Sequence, residues 1–269
     1  MPDLYTTITE AAPAILESLM SVLERRAADP QLRSMLDTYL ADAAIPQGAR
    51  ALEVGCGTGP VTRVLAAWPG VAEAVGVDPS PVFVSQARAL GVERPALTFE
   101  EADGQALPFA SQTFDVVVFH TTLCHALRPD AMLHEAVRVL RPDGALAVFD
   151  GDYATGTLAT GAGDPLDACA EAFRTHFVHD PWLVRRLPRL VQAAGAQIQR
   201  IRSYGYVEAL EPGFMLFGWV DLGADALVAA GRIGADMATA LKAEARRRVA
   251  SGEYFGHIAY MSLVARKPA

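Results

Sequence analysis

Cysteine is scarce in these 269 residues: Cys56, Cys124 and Cys169 are odd in number and far apart. That argues against a disulfide framework or a paired-cysteine metal site and fits a reducing compartment, so a cytoplasmic protein is expected. Basic residues are in deficit as well, 23 Lys and Arg against 31 Asp and Glu, for a formal net charge of -8. Sequence-independent nucleic-acid binding needs clustered cations to displace phosphate counterions, and the one basic run, Arg246, Arg247 and Arg248, reads as the solvent face of a helix. No nucleic-acid partner is therefore expected. Long hydrophobic runs are also missing, since no stretch approaches the ~18 apolar residues that span a bilayer. The first twenty residues contain acids and lack the basic segment and apolar core of a secretory signal.

The chain does have 51% hydrophobic and 20% charged residues, well mixed, as a folded globular chain requires. Residues 9–27 place Ile15, Leu16, Leu19, Met20 and Leu23 at helical spacing, and a second helix opens on Asp29 as N-cap with Pro30 in its first turn. From Arg50 the pattern becomes strand and helix in alternation. Strands are expected at 51–55, 72–78, 96–103, 114–120 and 144–150, with helices at 59–67, 80–90 and 130–140. Several strands are continuously apolar, as when both faces of a parallel sheet are covered, so a doubly wound α/β sheet is expected. A Gly- and Thr-rich loop follows Asp150, then helices at 164–178 and 180–194, a strand at 196–207, helices at 212–230 and 233–250, and a last strand at 255–265. Pro212 and Gly252 bound residues 211–252 as a helical cap inserted before that last strand.

The stretch "LEVGCGTGP" ends a strand at Val54 and places Gly55, Gly57 and Gly59 before a helix, where the backbone can approach a ligand closely. In open α/β sheets nucleotides bind at this position. Position 60 is Pro where a dinucleotide fingerprint needs a third small residue, and no Gly-Lys-Ser/Thr follows, so neither a nicotinamide dinucleotide nor a P-loop phosphate is the expected ligand. Glu53 stands two residues before the glycines, and strands ending in Asp78 and Asp103 follow.

With that spacing, and with "VGVDPS", "EEADGQALPF" and "FDVVVFHTTLCHALRPDAMLHEAVRVLRPDGALAVFD", residues 48–152 resemble class I S-adenosylmethionine-dependent methyltransferases of the ubiquinone and menaquinone type. The C-terminal "EYFGHIAYMSLVARKP" resembles that group's last strand. The resemblance implies a single domain with a seven-stranded, mostly parallel sheet: an N-terminal helical lid (1–47), a cofactor-binding core (48–152), the rest of the core (153–210), the cap (211–252) and the last strand (253–269). It implies S-adenosylmethionine as cofactor and S-adenosylhomocysteine as product. Glu53 then serves the methionine ammonium, Asp78 the ribose hydroxyls and Asp103 the adenine amine, with Gly55, Cys56, Gly57, Gly59, Pro79, Ala102, Gly104 and His120 beside them. The acid chemistry suits these groups: a carboxylate pairs with an ammonium, and its two oxygens accept from a vicinal diol.

A base for an acidic acceptor is expected after strands four and five. The candidates are His120, His125, which aligns with the family's His-rich turn, and Asp152, with Asp150 and Tyr153 beside it. His176 and His179 are three apart but lack a third ligand nearby, and no metal is expected. Tyr5, the N-terminal helices and the cap aromatics Phe214, Met215, Leu216, Phe217 and Trp219 are expected to wall a pocket for a small, largely apolar or aromatic acceptor. The oligomeric state, a homodimer included, stays open.

Overall fold

The computed structural model describes residues 3–91, 96–209 and 215–269. The chain opens with helices α1 (Pro13–Ala28) and α2 (Pro30–Asp42). The Asp29 carboxylate accepts from the N–H groups of Gln31 and Leu32 at 2.8 and 3.1 Å, the cap expected from sequence. Strands β1 (Ala49–Val54), β2 (Val71–Asp78), β3 (Leu97–Glu101) and β4 (Phe114–His120) alternate with α3 (Pro60–Ala66), α4 (Pro81–Leu90) and, after β4, α5 (Pro129–Val139). Then come β5 (Leu140–Thr157), α6 (Asp167–Phe177), α7 (Leu183–Ala193), β6 (Gln197–Ala209), α8 (Met215–Ala229), α9 (Ala235–Ser251) and β7 (Phe255–Arg266).

The strands form one sheet in the order β3-β2-β1-β4-β5-β7-β6. Neighbours from β3 to β5 are parallel, and β7 runs antiparallel between β5 and β6. This is the doubly wound, mostly parallel sheet of seven strands. The direction of winding reverses between β1 and β4, so the crevice at the carboxyl ends of those strands is where a ligand can enter. Ala51, Leu52, Val54 and the run Val116, Val117, Val118 and Phe119 are buried, which explains why these strands carry no polar alternation.

Two elements differ from the sequence expectation. β5 does not stop at Asp150 but continues to Thr157, because the long antiparallel β7 supplies partners beyond the parallel part of the sheet: Gly151 pairs with Tyr260, Asp152 with Ala259 and Thr157 with His257. Gly156, which read as part of a loop, is there for space, since a Cβ on it would lie 2.5 Å from the Trp219 ring. The cap helices α8 and α9 are present, but their aromatic residues serve packing. Trp219 stacks on Phe173 of α6 at 4.5 Å and on Tyr153 at 6.0 Å, and Gly223 lies so close to the Cys169 carbonyl that no Cβ would fit. The buried Glu208 carboxylate accepts from the N–H groups of Met215, Leu216 and Phe217 and so starts α8. Pro212 and Phe214 lie outside the described residues. The basic run of α9 binds carboxylates rather than a ligand, Arg246 with Asp221, Arg247 with Glu244 and Arg248 with Asp164.

Gly59 starts α3 from a left-handed φ of +79°, and a Cβ there would meet the Phe99 ring at 2.4 Å. It holds the glycine loop against the sheet rather than facing a ligand.

Candidate active site

Over the carboxyl ends of β1, β2 and β4 lies a cavity of about 620 Å³, roofed by α1 and α2. Ligand sites commonly have volumes of roughly 300–1,000 Å³. Glu53, Gly55, Cys56, Gly57, Asp78, Pro79, Ala102, Asp103, Gly104, His120 and His125 all line it, with Tyr5 from the N-terminal segment. Residues that are 72 positions apart in sequence, Glu53 and His125, thus share one space because parallel strands start and end in register.

The acids sit in graded exposure. Glu53 is 2% exposed; its carboxylate accepts from the Thr62 hydroxyl, and burial raises its pKa to about 8. Asp78 ends β2 with Oδ2 accepting from Gly57 N–H and Oδ1 from Ser80 N–H, both at 2.9 Å. Burial pushes it up to about 6 despite those bonds. Asp103 is exposed at the cavity mouth and accepts from the Gln105 N–H. Gly57 is forced by its surroundings: at φ +53° a Cβ would lie 2.7 Å from Leu23 Cδ1 of α1, so the lid helix rests on bare backbone. The Cys56 thiol is buried and pushed well up by that burial, which makes it a packing group rather than a nucleophile.

On the other flank, β4 exits through Thr121, a β-branched residue held at φ +54° with its N–H on the Phe149 carbonyl. His120 Nδ1 shares a 2.9 Å hydrogen bond with the Tyr39 hydroxyl of α2, and its ring stacks on Phe149 at 4.8 Å. Burial, and then the charge of Arg26, lower its pKa to about 3. His125 sits in a 3-10 turn, Leu123–His125, with Nδ1 2.5 Å from Asp3 Oδ2 and its ring 4.6 Å from that of Tyr5. Asp3 is 6% exposed and also accepts from the N–H groups of Tyr5 and His179.

Three expected neighbours are elsewhere. Asp152 faces Arg185 of α7 in an ion pair and does not line the cavity, because β5 carries on past it into the ladder with β7. Gly59 stands behind the loop, as described above. Met215, Leu216, Phe217 and Trp219 pack in the core of the insertion rather than on the cavity wall. His176 and His179 bring no third ligand, and no group of three or more His, Cys, Asp or Glu converges among the described residues. No described helix is long and apolar enough to cross a membrane.

Sequence reasoning missed Asp3, Arg26 and Tyr39. Only Arg26 left a trace, three residues after Leu23 on the face of α1 that is otherwise apolar. The geometry generates a spectroscopic prediction. The His120 imidazole should stay neutral from pH 5.5 to 8.5 in nitrogen-correlated NMR spectra; a titration midpoint near the ordinary ~6.5 would contradict the burial described here.

Residues 52–148 match the family described as a methyltransferase domain. A 2-phytyl-1,4-naphtoquinone methyltransferase of Thermosynechococcus vestitus is 36% identical over 107 residues, 39% of this chain and 48% of the relative. An uncharacterized protein in a transposon of Streptomyces fradiae is 29% identical over 183 residues, 68% of this chain and 53% of the relative. The chain thus spans about half the length of the curated relatives it matches. Among solved structures, a candidate methyltransferase from Bacillus halodurans aligns with a TM-score of 0.63 at 18% identity, covering 88% of this chain and all of that one. The cyclase SpnF aligns with a TM-score of 0.56 at 23% identity, over 88% and 82% of the two chains, so these likenesses speak to the fold. Residues 52–148 are thus a methyltransferase domain, carried on the seven-stranded, doubly wound sheet described above.

Proposed function

We propose that this chain transfers a methyl group from S-adenosylmethionine to oxygen, nitrogen or carbon of a small, largely apolar or aromatic molecule. One observation carries the reading: three acids, at the ends of β1, β2 and β3, converge with a glycine loop on one cavity beneath a helical lid. The donor set fits the cofactor. Glu53 would hold the ammonium, Asp78 the ribose hydroxyls and Asp103 the adenine amine, and ligand donors would relieve the two carboxylates that burial disfavours. When bound, S-adenosylmethionine supplies an activated sulfonium methyl, so the protein's task is alignment and exclusion of water.

The chain's own groups divide that task. Leu23 of α1 closes on Gly57, while Tyr5, Ile8, Leu32 and Leu36 give the cavity an apolar wall. His125 is the base in this reading. Its Nδ1 is committed to Asp3, which fixes the ring and leaves Nε2 to take a proton from an acceptor O–H, N–H or acidic C–H. His120 is held neutral by burial and anchored by Tyr39, so it orients rather than exchanges protons. The similarity to SpnF favours a second reading, in which the same site binds the cofactor and promotes a cyclisation. Accumulation of S-adenosylhomocysteine in step with a methylated product supports methyl transfer, and turnover without it supports the second reading.

Two variants test the assignments. Asp78→Ala should weaken S-adenosylhomocysteine binding about tenfold or more by calorimetry, since it leaves the ribose hydroxyls unmatched. Asp103→Ala, whose carboxylate accepts only from Gln105 among the described residues, should weaken it in the same direction without disturbing the loop. Unchanged affinity in both would remove these acids from the site. Separately, His125→Ala should lower kcat by about 10²–10⁴ with cofactor affinity intact, and Asp3→Asn should lower it less. Full turnover in His125→Ala would show that the acceptor needs no base here.

A further inference from the structure

Arg26 is the unexplained charge of this cavity. It lies on the inward face of α1, one turn from Leu23, and lines the same space as the candidate cofactor acids. Its Nη2 is fully buried and meets no hydrogen-bond partner among the described residues. The other arginines of the lining are neutralised, Arg63 by Glu24 at 2.6 Å and Arg33 by Asp37 at 2.9 Å. The buried acids on this flank are committed elsewhere: Asp3 to His125 and two backbone N–H groups, and Asp150 to the N–H groups of Cys124 and Gly151.

An arginine cannot shed its proton to escape burial, so the charge persists and calls for an anion. Its position says which one. Arg26 is within electrostatic reach of Tyr260, Tyr153, Tyr5 and Cys124, and it acts on His120. Tyr153 and Tyr260 belong to β5 and β7, and Cys124 and His120 follow or end β4. The candidate cofactor acids lie on the opposite flank, at the ends of β1, β2 and β3. The guanidinium therefore lies toward the β4 flank of the cavity, which His120, His125 and Tyr5 also line. Burial keeps the phenol of Tyr5, which lines the cavity, protonated, so it can donate to the same anion.

We propose that the acceptor carries an anionic oxygen group, a carboxylate or phosphate, which Arg26 binds at the β4 end of the cavity while the apolar body of the molecule rests under the lid. This rests on the methyltransferase reading and narrows its substrate class. Arg26 is a specificity residue in this account, and the base remains His125. A neutral acceptor would leave the guanidinium desolvated and unpaired, so the site discriminates against it.

The test uses the full chain saturated with S-adenosylhomocysteine and three probes of similar size: benzoate, phenyl phosphate and benzyl alcohol, with binding followed by ligand-observed NMR. At least one anion should bind about tenfold or more tightly than benzyl alcohol. Arg26→Met should abolish that preference and Arg26→Lys should keep part of it, and which anion wins distinguishes carboxylate from phosphate. Arg26→Met should also melt no lower than the wild type without ligand, because it removes an unpaired buried charge rather than a structural contact. Equal binding of benzyl alcohol, failure of both anions to bind, or a preference that survives Arg26→Met would overturn the proposal. So would a loss of S-adenosylhomocysteine affinity in Arg26→Met that is absent for 5′-methylthioadenosine, because the guanidinium would then serve the cofactor's carboxylate. If the wild type binds no S-adenosylhomocysteine at all, the methyltransferase reading itself fails.

Discussion

Two carboxylates buried at strand ends, Glu53 and Asp78, constrain everything built around them. Taking such groups out of water costs several kcal/mol each unless donors or cations meet them. The protein meets the cost in part, with the Thr62 hydroxyl for Glu53 and the N–H groups of Gly57 and Ser80 for Asp78. The bonds from Asp78 shape the loop, since Gly57 is pulled down to β2 and its bare backbone becomes the surface on which Leu23 of the lid settles. What the protein leaves unmet, shown by the raised pKa of both acids, is a demand that a ligand rich in donors can fill.

The cavity has two characters because the sheet has two halves. Over β1, β2 and β3 it is acidic and lined by glycine backbone; toward β4 it is lined by His120, His125 and Tyr5, with Arg26 above them on α1. The N-terminal segment joins the halves. Asp3 clamps His125 and the His179 N–H, and Tyr39 of α2 reaches His120, so closing the lid also positions the imidazoles. Exclusion of water and orientation of the candidate base are one structural event here.

Some of this could be read along the chain because local rules suffice. The Asp29-Pro30 start of α2, the glycine loop and the three strand-end acids each follow from spacing within a few residues, and parallel topology then brings the strand ends together. The rest depends on contacts that sequence distance hides. Asp3 meets His125 across 122 positions and Tyr39 meets His120 across 81. Asp152 looked like a site residue because it follows the apolar run of β5; the antiparallel β7 extends that strand and turns the acid toward Arg185. The aromatic run after Phe214 suggested a pocket wall and proved to be packing, because α6 offers Phe173 and a close-fitting Cys169 backbone. Arg26 was visible as a cation on an apolar helix face, but that its Nη2 meets no partner among the described residues is a property of the folded cavity alone.

The central claim is that the buried acids await a ligand carrying an ammonium and a diol, and proton linkage tests it most directly. Calorimetric titration of the protein with S-adenosylhomocysteine at pH 7, repeated in buffers of different ionisation enthalpy, gives the number of protons exchanged. Glu53, with its pKa raised to about 8, is largely protonated in the free protein at that pH and ionises when it meets an ammonium. Release of roughly half to one proton per ligand is therefore expected, falling as pH rises through 8 and lost in Glu53→Gln. Binding with proton uptake, or with none at any pH from 6 to 9, would contradict the account.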